Sequence, residues 1–351
     1  MAIITIKNLV KKYGDNIVVN HLDLLVNDGE FVTLLGPSGC GKTTTLRAIA
    51  GLIEIDEGEI YLGDRLINDV PPHKRSTAMV FQSYALFPHM SVHENVAFGL
   101  RMQKVPKSEC DDRVREVLQM MGLSELADRG PGQLSGGQQQ RVAVARAIVT
   151  HPIVLLFDEP LSNLDLKLRE RLRIDIRELQ RRLKITTVYV THDQAEALVI
   201  SDRIAIMDKG SIIQCADPVT IYTHPVNAFT ADFIGQASIL KAQVIETNES
   251  GCTVETPVGN LISSDRPKNT SKAVMVCWRP EDITLYQKEH HNRIDGKIER
   301  NIFMGNLTDL FVDVNGTSLR VQMGGIVNLQ PGDKIVLGLS KDKLRVIEGD
   351  A

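Results

Sequence analysis

The sequence predicts a mainly parallel α/β domain followed by a small all-β domain, on three observations. From residue 1 to about residue 236, strand-like runs alternate with helix-like ones, the order that builds a parallel sheet covered by helices. Short continuous apolar runs such as 153–157 (Ile-Val-Leu-Leu-Phe) have the composition of strands buried on both faces. From about Ala237 the texture changes to short β-rich stretches divided by turn clusters. At 351 residues the chain is too long for one ordinary domain and suits two, 1–236 and 237–351.

Each element has its own warrant. Residues 3–10 and 31–35 predict strands, and 42–51 predicts a helix. Residues 153–157 and the β-branched run 187–190 predict further buried strands. The segment 166–183 sets Leu168, Leu172, Ile176, Leu179 and Leu183 at helical spacing with charges between them, an amphipathic helix. In the second domain, Asn248-Glu249-Ser250-Gly251 and Pro331-Gly332-Asp333 read as turns. Residues 310–321 predict a hairpin turning at Asn315-Gly316, which pairs Val314, Val312 and Leu310 with Thr317, Leu319 and Val321.

Composition narrows the function classes. Hydrophobic content of 43% supports packed cores, and a formal charge of −4 argues against nucleic acid as the main partner. Five cysteines (Cys40, Cys110, Cys215, Cys252 and Cys277) show no CxxC spacing, which predicts free thiols in a reducing compartment rather than disulfides or a zinc site. The N-terminal stretch has no secretory-signal pattern, and no apolar run reaches the 18 or so residues of a membrane span. A membrane role would therefore come through a partner.

The sharpest chemical signal is Gly36-Pro37-Ser38-Gly39-Cys40-Gly41-Lys42-Thr43, which fits G-x-x-x-x-G-K-[ST] between a predicted strand and a predicted helix. Its glycines let backbone N–H groups close around phosphate oxygens, and the following helix turns its positive end to the anion. Lys42 is expected to reach the outer phosphates and the Thr43 hydroxyl to ligate Mg²⁺. The apolar strand 153–157 then ends in Asp158-Glu159-Pro160, carboxylates at the end of a parallel strand, where ligands of such sheets bind. Asp158 suits Mg²⁺ held through water, and Glu159 suits polarisation of an attacking water, a role worth roughly 10²–10⁴ in rate.

Leu134-Ser135-Gly136-Gly137-Gln138 precedes a helical run at 139–149. Ser135 and Gln138 fit an S-x-x-Q capping box. Capping leaves two glycines in the first turn unexplained, since glycine is a poor helix former; close approach of a phosphate accounts for them.

With this pentapeptide the chain resembles the ABC transporter ATPases, whose signature is LSGGQ. The resemblance covers nearly the whole chain, with the motifs in the family's order. It implies an α/β P-loop ATPase domain with a helical signature subdomain, binding ATP and Mg²⁺. Tyr13 matches the aromatic residue that stacks on adenine, and the stretch from Gly36 through Thr44 matches Walker A. Gln82 matches the Q-loop glutamine that contacts Mg²⁺ and the attacking water, and residues 157–159 match Walker B. Ser162-Asn163-Leu164-Asp165 matches the D-loop, with Asn163 where alanine is common, and His192 matches the switch histidine at the γ-phosphate. Taken singly, Tyr13, Gln82 and His192 also fit ordinary packing or surface positions.

Because the family closes the signature loop of one subunit on ATP held by the other, the resemblance implies a head-to-tail homodimer. It implies permease subunits docked on residues 83–100, whose aromatics equally fit a local core, and indirectly a solute-binding protein. The location implied is peripheral, on the cytoplasmic face of the inner membrane. Residues from about 237 resemble the regulatory OB-like TOBE domain of importer ATPases, with Arg279-Pro280-Glu281 matching that group's RPE motif. The wording of 81–104 is similar to polyamine and ferric-ion importers, and that of 156–182 to ferric-ion and phosphonate importers. The alternative is a soluble ABC ATPase of DNA repair or translation, which would typically carry long coiled-coil insertions or a second ATPase domain. A P-loop kinase or GTPase would lack LSGGQ and the switch histidine. Cys40, at a helix N-terminus, is expected to have a lowered pKa, so that alkylation would inhibit the ATPase and ATP would protect; an inert small residue fits equally.

Overall fold

A computed structural model describes residues 3–267 and 273–347; Met1 and Ala2 of the N-terminal stretch and the last four residues of the C-terminal domain lie outside that range. The chain divides into two compact units, Met1–Pro218 and Val219–Ala351.

The first unit holds two sheets. β1 (Ile4–Tyr13), β2 (Asn16–Val26), β4 (Glu57–Leu62) and β5 (Arg65–Leu66) form an antiparallel sheet in the order β2-β1-β4-β5. The second sheet joins β3 (Phe31–Leu35), β6 (Thr77–Val80), β7 (Val154–Asp158), β8 (Thr186–Thr191), β9 (Arg203–Asp208) and β10 (Ser211–Ala216) in the order β10-β9-β3-β8-β7-β6. All its pairings are parallel except β9 with β10. The strand expected at 3–10 forms but belongs to the antiparallel sheet. Its alternation shows this, because Ile4, Ile6, Leu9 and Val10 are buried while Lys7 and Asn8 are exposed, the pattern of a strand covered on one face.

Strands β3, β7 and β8 are buried at every position, as their uninterrupted apolar and β-branched composition requires. Helix α1 (Lys42–Ala50) follows β3 directly. Helices α2 (Val92–Met102), α3 (Lys107–Met120) and α4 (Gly136–Ile148) lie between β6 and β7 in sequence and pack on one another. Their apolar faces, including Val96, Leu100, Val114, Leu118, Val142 and Ile148, share one core with Phe157 and Tyr189 of the parallel sheet. Helix α5 (Leu166–Leu183) follows β7 and α6 (Gln194–Ile200) follows β8. No helix among the described residues is long and apolar enough to cross a membrane.

The short helix Pro218–Thr223 starts at the boundary, and Ala228–Phe233 follows in the second unit, both ahead of the change of texture near Ala237. The buried Arg279 guanidinium gathers this segment by donating to the carbonyls of Tyr222 and Ala231 at 2.7 Å each, and to that of Ile234. Beyond it lie two five-stranded antiparallel sheets around one core that contains Val254, Val276, Trp278, Leu310, Val321 and Leu337. The hairpin Leu307–Val314 with Thr317–Gly324 has the register read from the sequence, pairing Val314 with Thr317, Val312 with Leu319 and Leu310 with Val321.

Candidate nucleotide site

The sheet order places three strand ends side by side. β3 ends at Leu35, opposite Thr191 of β8, and Asp158 of β7 lies opposite Val190 of β8. The phosphate loop, the Asp158-Glu159 pair and His192 therefore leave the same edge of one buried sheet, the edge where ligands of such sheets sit.

The loop 36–43 is shaped by close backbone approaches. A Cβ on Gly36 would come within 2.3 Å of the Met207 carbonyl oxygen. Gly41 has φ +99°, and a Cβ there would lie 2.6 Å from the Val18 carbonyl oxygen. Either position excludes a side chain, and Gly41 also needs the left-handed conformation that glycine adopts freely. Gly41 stands at the N-cap of α1, where no side chain caps the helix, so the first-turn N–H groups point into the loop. Lys42 is buried inside the loop, its ammonium donating to the carbonyls of Gly36 at 2.7 Å and Pro37 at 2.9 Å. Ser38 and Gly39 lie in the same loop, and Thr44 follows Thr43 in the first turn of α1. Tyr13 is exposed at the tip of the β1–β2 hairpin, with Lys11 Nζ 5.3 Å from its ring centroid; the second strand of that hairpin brings Val18 against Gly41.

Thr43 donates from Oγ1 to Asp158 Oδ1 at 2.8 Å, joining the loop to the end of β7, and Arg47 Nη2 lies 3.7 Å from Asp158 Oδ2. A hydroxyl and a carboxylate brought together at the head of an anion-binding loop are hard oxygen donors that fit Mg²⁺. Glu159 adopts φ +46° and donates its N–H to Val190 O at 3.0 Å, while its Oε2 lies 3.0 Å from His192 Nδ1. Gln82 Nε2 donates to Ser162 Oγ at 3.2 Å, Ser162 Oγ donates to Glu159 O at 3.0 Å, and Asn163 Nδ2 donates to Gln82 O at 3.0 Å. The structure thus brings Lys42, Thr43, Asp158, Glu159, His192 and Gln82 into one connected set.

Ser135, Gly136, Gly137 and Gln138 stand at the start of α4, and the expected capping box forms. Gln138 N donates to Ser135 Oγ at 3.4 Å, and Ser135 N to Gln138 Oε1 at 2.8 Å. The glycines have an additional cause inside the chain. A Cβ on Gly137 would lie 2.9 Å from Leu168 Cδ2, and one on Gly136 3.0 Å from Leu164 Cδ2. Asp165 caps α5, accepting from Leu168 N at 3.0 Å. Of the aromatics in 83–100, Tyr84 is buried in the core, and Phe87 and Phe98 are half-buried with ring centroids 4.5 Å apart.

The expectation of an acidic Cys40 thiol is overturned. Cys40 is 4% exposed, and burial raises its pKa above the ordinary thiol value, outweighing the lowering effect of Lys42. Desolvation of the thiolate exceeds the contribution of the Lys42 ammonium at this position.

Three residues that support the elements carrying the site have no motif signal. Arg75 is buried and donates to Ala48 O at 2.8 Å and Ile49 O at 3.0 Å, closing the C-terminal end of α1, and also to Val70 O and Asn68 O. Arg169 joins the D-loop to the segment after His192, donating to Leu164 O at 3.1 Å and pairing with Asp193 Oδ2 at 3.1 Å. Beneath them Glu196 is buried, accepting from Tyr189 OH at 3.0 Å and Thr191 Oγ1 at 2.8 Å; burial raises its pKa. Only spacing could have hinted at Glu196, which sits three residues after Asp193 as the N3 position of α6.

Comparison with known proteins agrees with this geometry. The sequence model of the ABC transporter family matches residues 19–162, and that of the TOBE domain matches 276–347. The chain is 48% identical over 331 residues to the spermidine/putrescine import ATP-binding protein PotA of Haemophilus influenzae, covering 93% of this chain and 89% of that protein. It is 44% identical over 350 residues to the Fe(3+) ions import ATP-binding protein FbpC of Fusobacterium nucleatum, covering 99% and 94% respectively. Among solved structures it is similar to the dimeric post-hydrolysis state of the ATP-binding cassette MJ0796 bound to ADP and Pi. The TM-score is 0.55 with 34% identity, over 61% of this chain and 98% of that one. With an ATP-binding loop, two strand-end carboxylates and a signature helix in one domain and a TOBE match in the other, the chain belongs to the ABC transporter family, as an importer-type ATPase.

Proposed function

We propose that this chain energises uptake of a small solute, a polyamine, ferric ion or related species, through separate membrane subunits. The observation that carries the ATPase chemistry is the convergence of Thr43, Asp158, Glu159 and His192 at three adjacent strand ends. Residues 1–236 act as the nucleotide-binding domain and 237–351 as the regulatory domain. Lys42 and the loop N–H groups bind the ATP phosphates, with Tyr13 against the adenine. Thr43, Asp158 and Gln82 would hold Mg²⁺, which supplies charge neutralisation on the phosphates. Glu159 accepts the proton of the attacking water, and His192 orients Glu159 and meets the γ-phosphate.

The chain works as a head-to-tail homodimer, in which Ser135, Gly136, Gly137, Gln138 and Asp165 of one copy close on ATP bound by the other. ATP bridges the pair and hydrolysis releases it, a ligand-biased two-state switch. The dimeric MJ0796 cassette and the import names of PotA and FbpC support this reading. The chain then sits peripherally at the cytoplasmic face of the inner membrane, bound to permease subunits and served indirectly by a solute-binding protein, with no nucleic-acid role. The names of these relatives favour import over a soluble role in DNA repair or translation.

The test is affinity capture of tagged Glu159→Gln protein with ATP from its native cells, followed by detergent extraction and mass spectrometry. A multi-span membrane subunit is the expected companion, and its identity narrows the solute. Recovery of soluble proteins alone, where other membrane complexes survive the extraction, overturns the transport reading.

A further inference from the structure

Directly after Gln82 the backbone makes an uncommon turn. Tyr84 and Ala85 have φ +62° and +50°, the only consecutive non-glycine residues with positive φ among the described residues. Side chains other than glycine disfavour this region, so two in succession need an external hold. The Tyr84 ring is buried in the core, yet its hydroxyl has no hydrogen-bond partner, so the side chain supplies no polar anchor. The anchor comes from α4. Arg146 Nη1 donates to Ala85 O at 2.7 Å and Nη2 to Tyr84 O at 2.9 Å, while its guanidinium lies 5.4 Å from the Phe87 ring centroid. One planar fork thus holds both carbonyls of the turn, a geometry an ammonium does not reproduce. On the other side, Asn163 ties Gln82 O to the D-loop.

We propose that Arg146 is a positioning residue for hydrolysis. It ties the turn that carries Gln82 to the helix that begins with Ser135, Gly136 and Gly137, so that Gln82 reaches the phosphate site only when α4 is correctly placed. The inference rests on the reading of Gln82 as a group at the metal and attacking water. Arg146 acts through the 84–85 turn.

The test uses the purified full chain and compares wild type, Arg146→Lys, Ala85→Gly, the double variant and Gln82→Ala. Steady-state ATP hydrolysis gives kcat and KM, and thermal unfolding gives Tm. Arg146→Lys is expected to lower kcat about tenfold, with KM for ATP within about twofold of wild type and Tm within about 3 °C. Adding Ala85→Gly should restore most of the lost kcat, because glycine adopts the left-handed turn without the fork. Three results overturn the proposal: an unchanged kcat in Arg146→Lys, a fall in kcat matched by losses in KM and Tm, or a fall that Ala85→Gly does not recover. Gln82→Ala separates the two readings. An unchanged kcat there removes Gln82 from the site, whereas a fall there with none in Arg146→Lys removes only Arg146.

Discussion

His192 Nδ1 stands 3.0 Å from Glu159 Oε2, although the two residues follow different strands. The contact exists because β7 and β8 are parallel neighbours in register, Asp158 facing Val190, so that the next residues of both strands leave the sheet together. Glu159 is further fixed by its own N–H on Val190 O. A carboxylate held on two sides can be replaced by its amide with little change of shape. Glu159→Gln is therefore expected to bind ATP and pair as the wild type does, while phosphate release falls by roughly 10²–10⁴-fold. Single-turnover phosphate release beside nucleotide binding checks this, and undiminished release removes Glu159 as the base.

Glu196 gives a pH-dependent stability. Its pKa is raised by burial, so folding favours the protonated acid. The stabilisation is fully present below the ordinary carboxyl value of 4.5 and is lost as pH rises through the raised folded value. Glutamine can accept the same bonds from Tyr189 and Thr191 without a charge. Glu196→Gln should thus gain Tm relative to wild type as pH increases from about 5 to about 8. A Tm difference that stays flat or shrinks over that range contradicts the assignment.

Gly137 separates packing from nucleotide contact. The atoms that a Cβ would meet are the ends of the flexible Leu168 side chain, which can shift, and alanine improves helix propensity by about 1 kcal/mol. Gly137→Ala should leave the stability of the chain within about 1 kcal/mol of wild type. If the signature glycine also lies against the partner-bound phosphate, hydrolysis falls sharply in the same variant. Denaturant melts and ATPase assays on one preparation give both readouts, and full activity in Gly137→Ala limits this glycine to packing.

Cys40 should behave as a protected thiol. Its burial and raised pKa leave little thiolate at neutral pH, so iodoacetamide should label it slowly in the folded chain, with the rate climbing as pH rises toward the raised pKa. Mass spectrometry of peptides from timed labelling reads this directly. Rapid labelling of Cys40 at neutral pH would restore the activated thiol expected from its place before α1.

Much of this fold was legible because its decisive elements are local. The strand Phe31–Leu35, the helix Leu166–Leu183 and the register about Asn315-Gly316 each follow from periodicity and turn chemistry over a short span. The antiparallel placement of β1 comes from its hairpin with β2, Tyr13 opposite Asn16, and the reading of the sequence marked no strand at 16–26 to supply that partner. The site divides in the same way. Motif residues carry fixed spacing, whereas Arg75, Arg169 and Glu196 act on backbone or buried groups that become neighbours only in the folded chain. Cys40 shows the converse error: helix position suggested one pKa direction, and burial, which a short motif does not reveal, set the other.

The position of β3 in its sheet has a consequence for biogenesis. Phe31–Leu35 leaves the ribosome well before its neighbours β8 and β9, which lie at Thr186–Thr191 and Arg203–Asp208. About 150 residues must be added before either can pair with it, a wait of roughly 8–30 s at 5–20 residues per second. Until then a strand that the fold buries at every position is without its sheet, and the loop that follows has no rigid base. Nucleotide binding therefore arrives late in synthesis, and truncated chains that stop before Thr186 are expected to depend on chaperones and to be poor in ATP affinity.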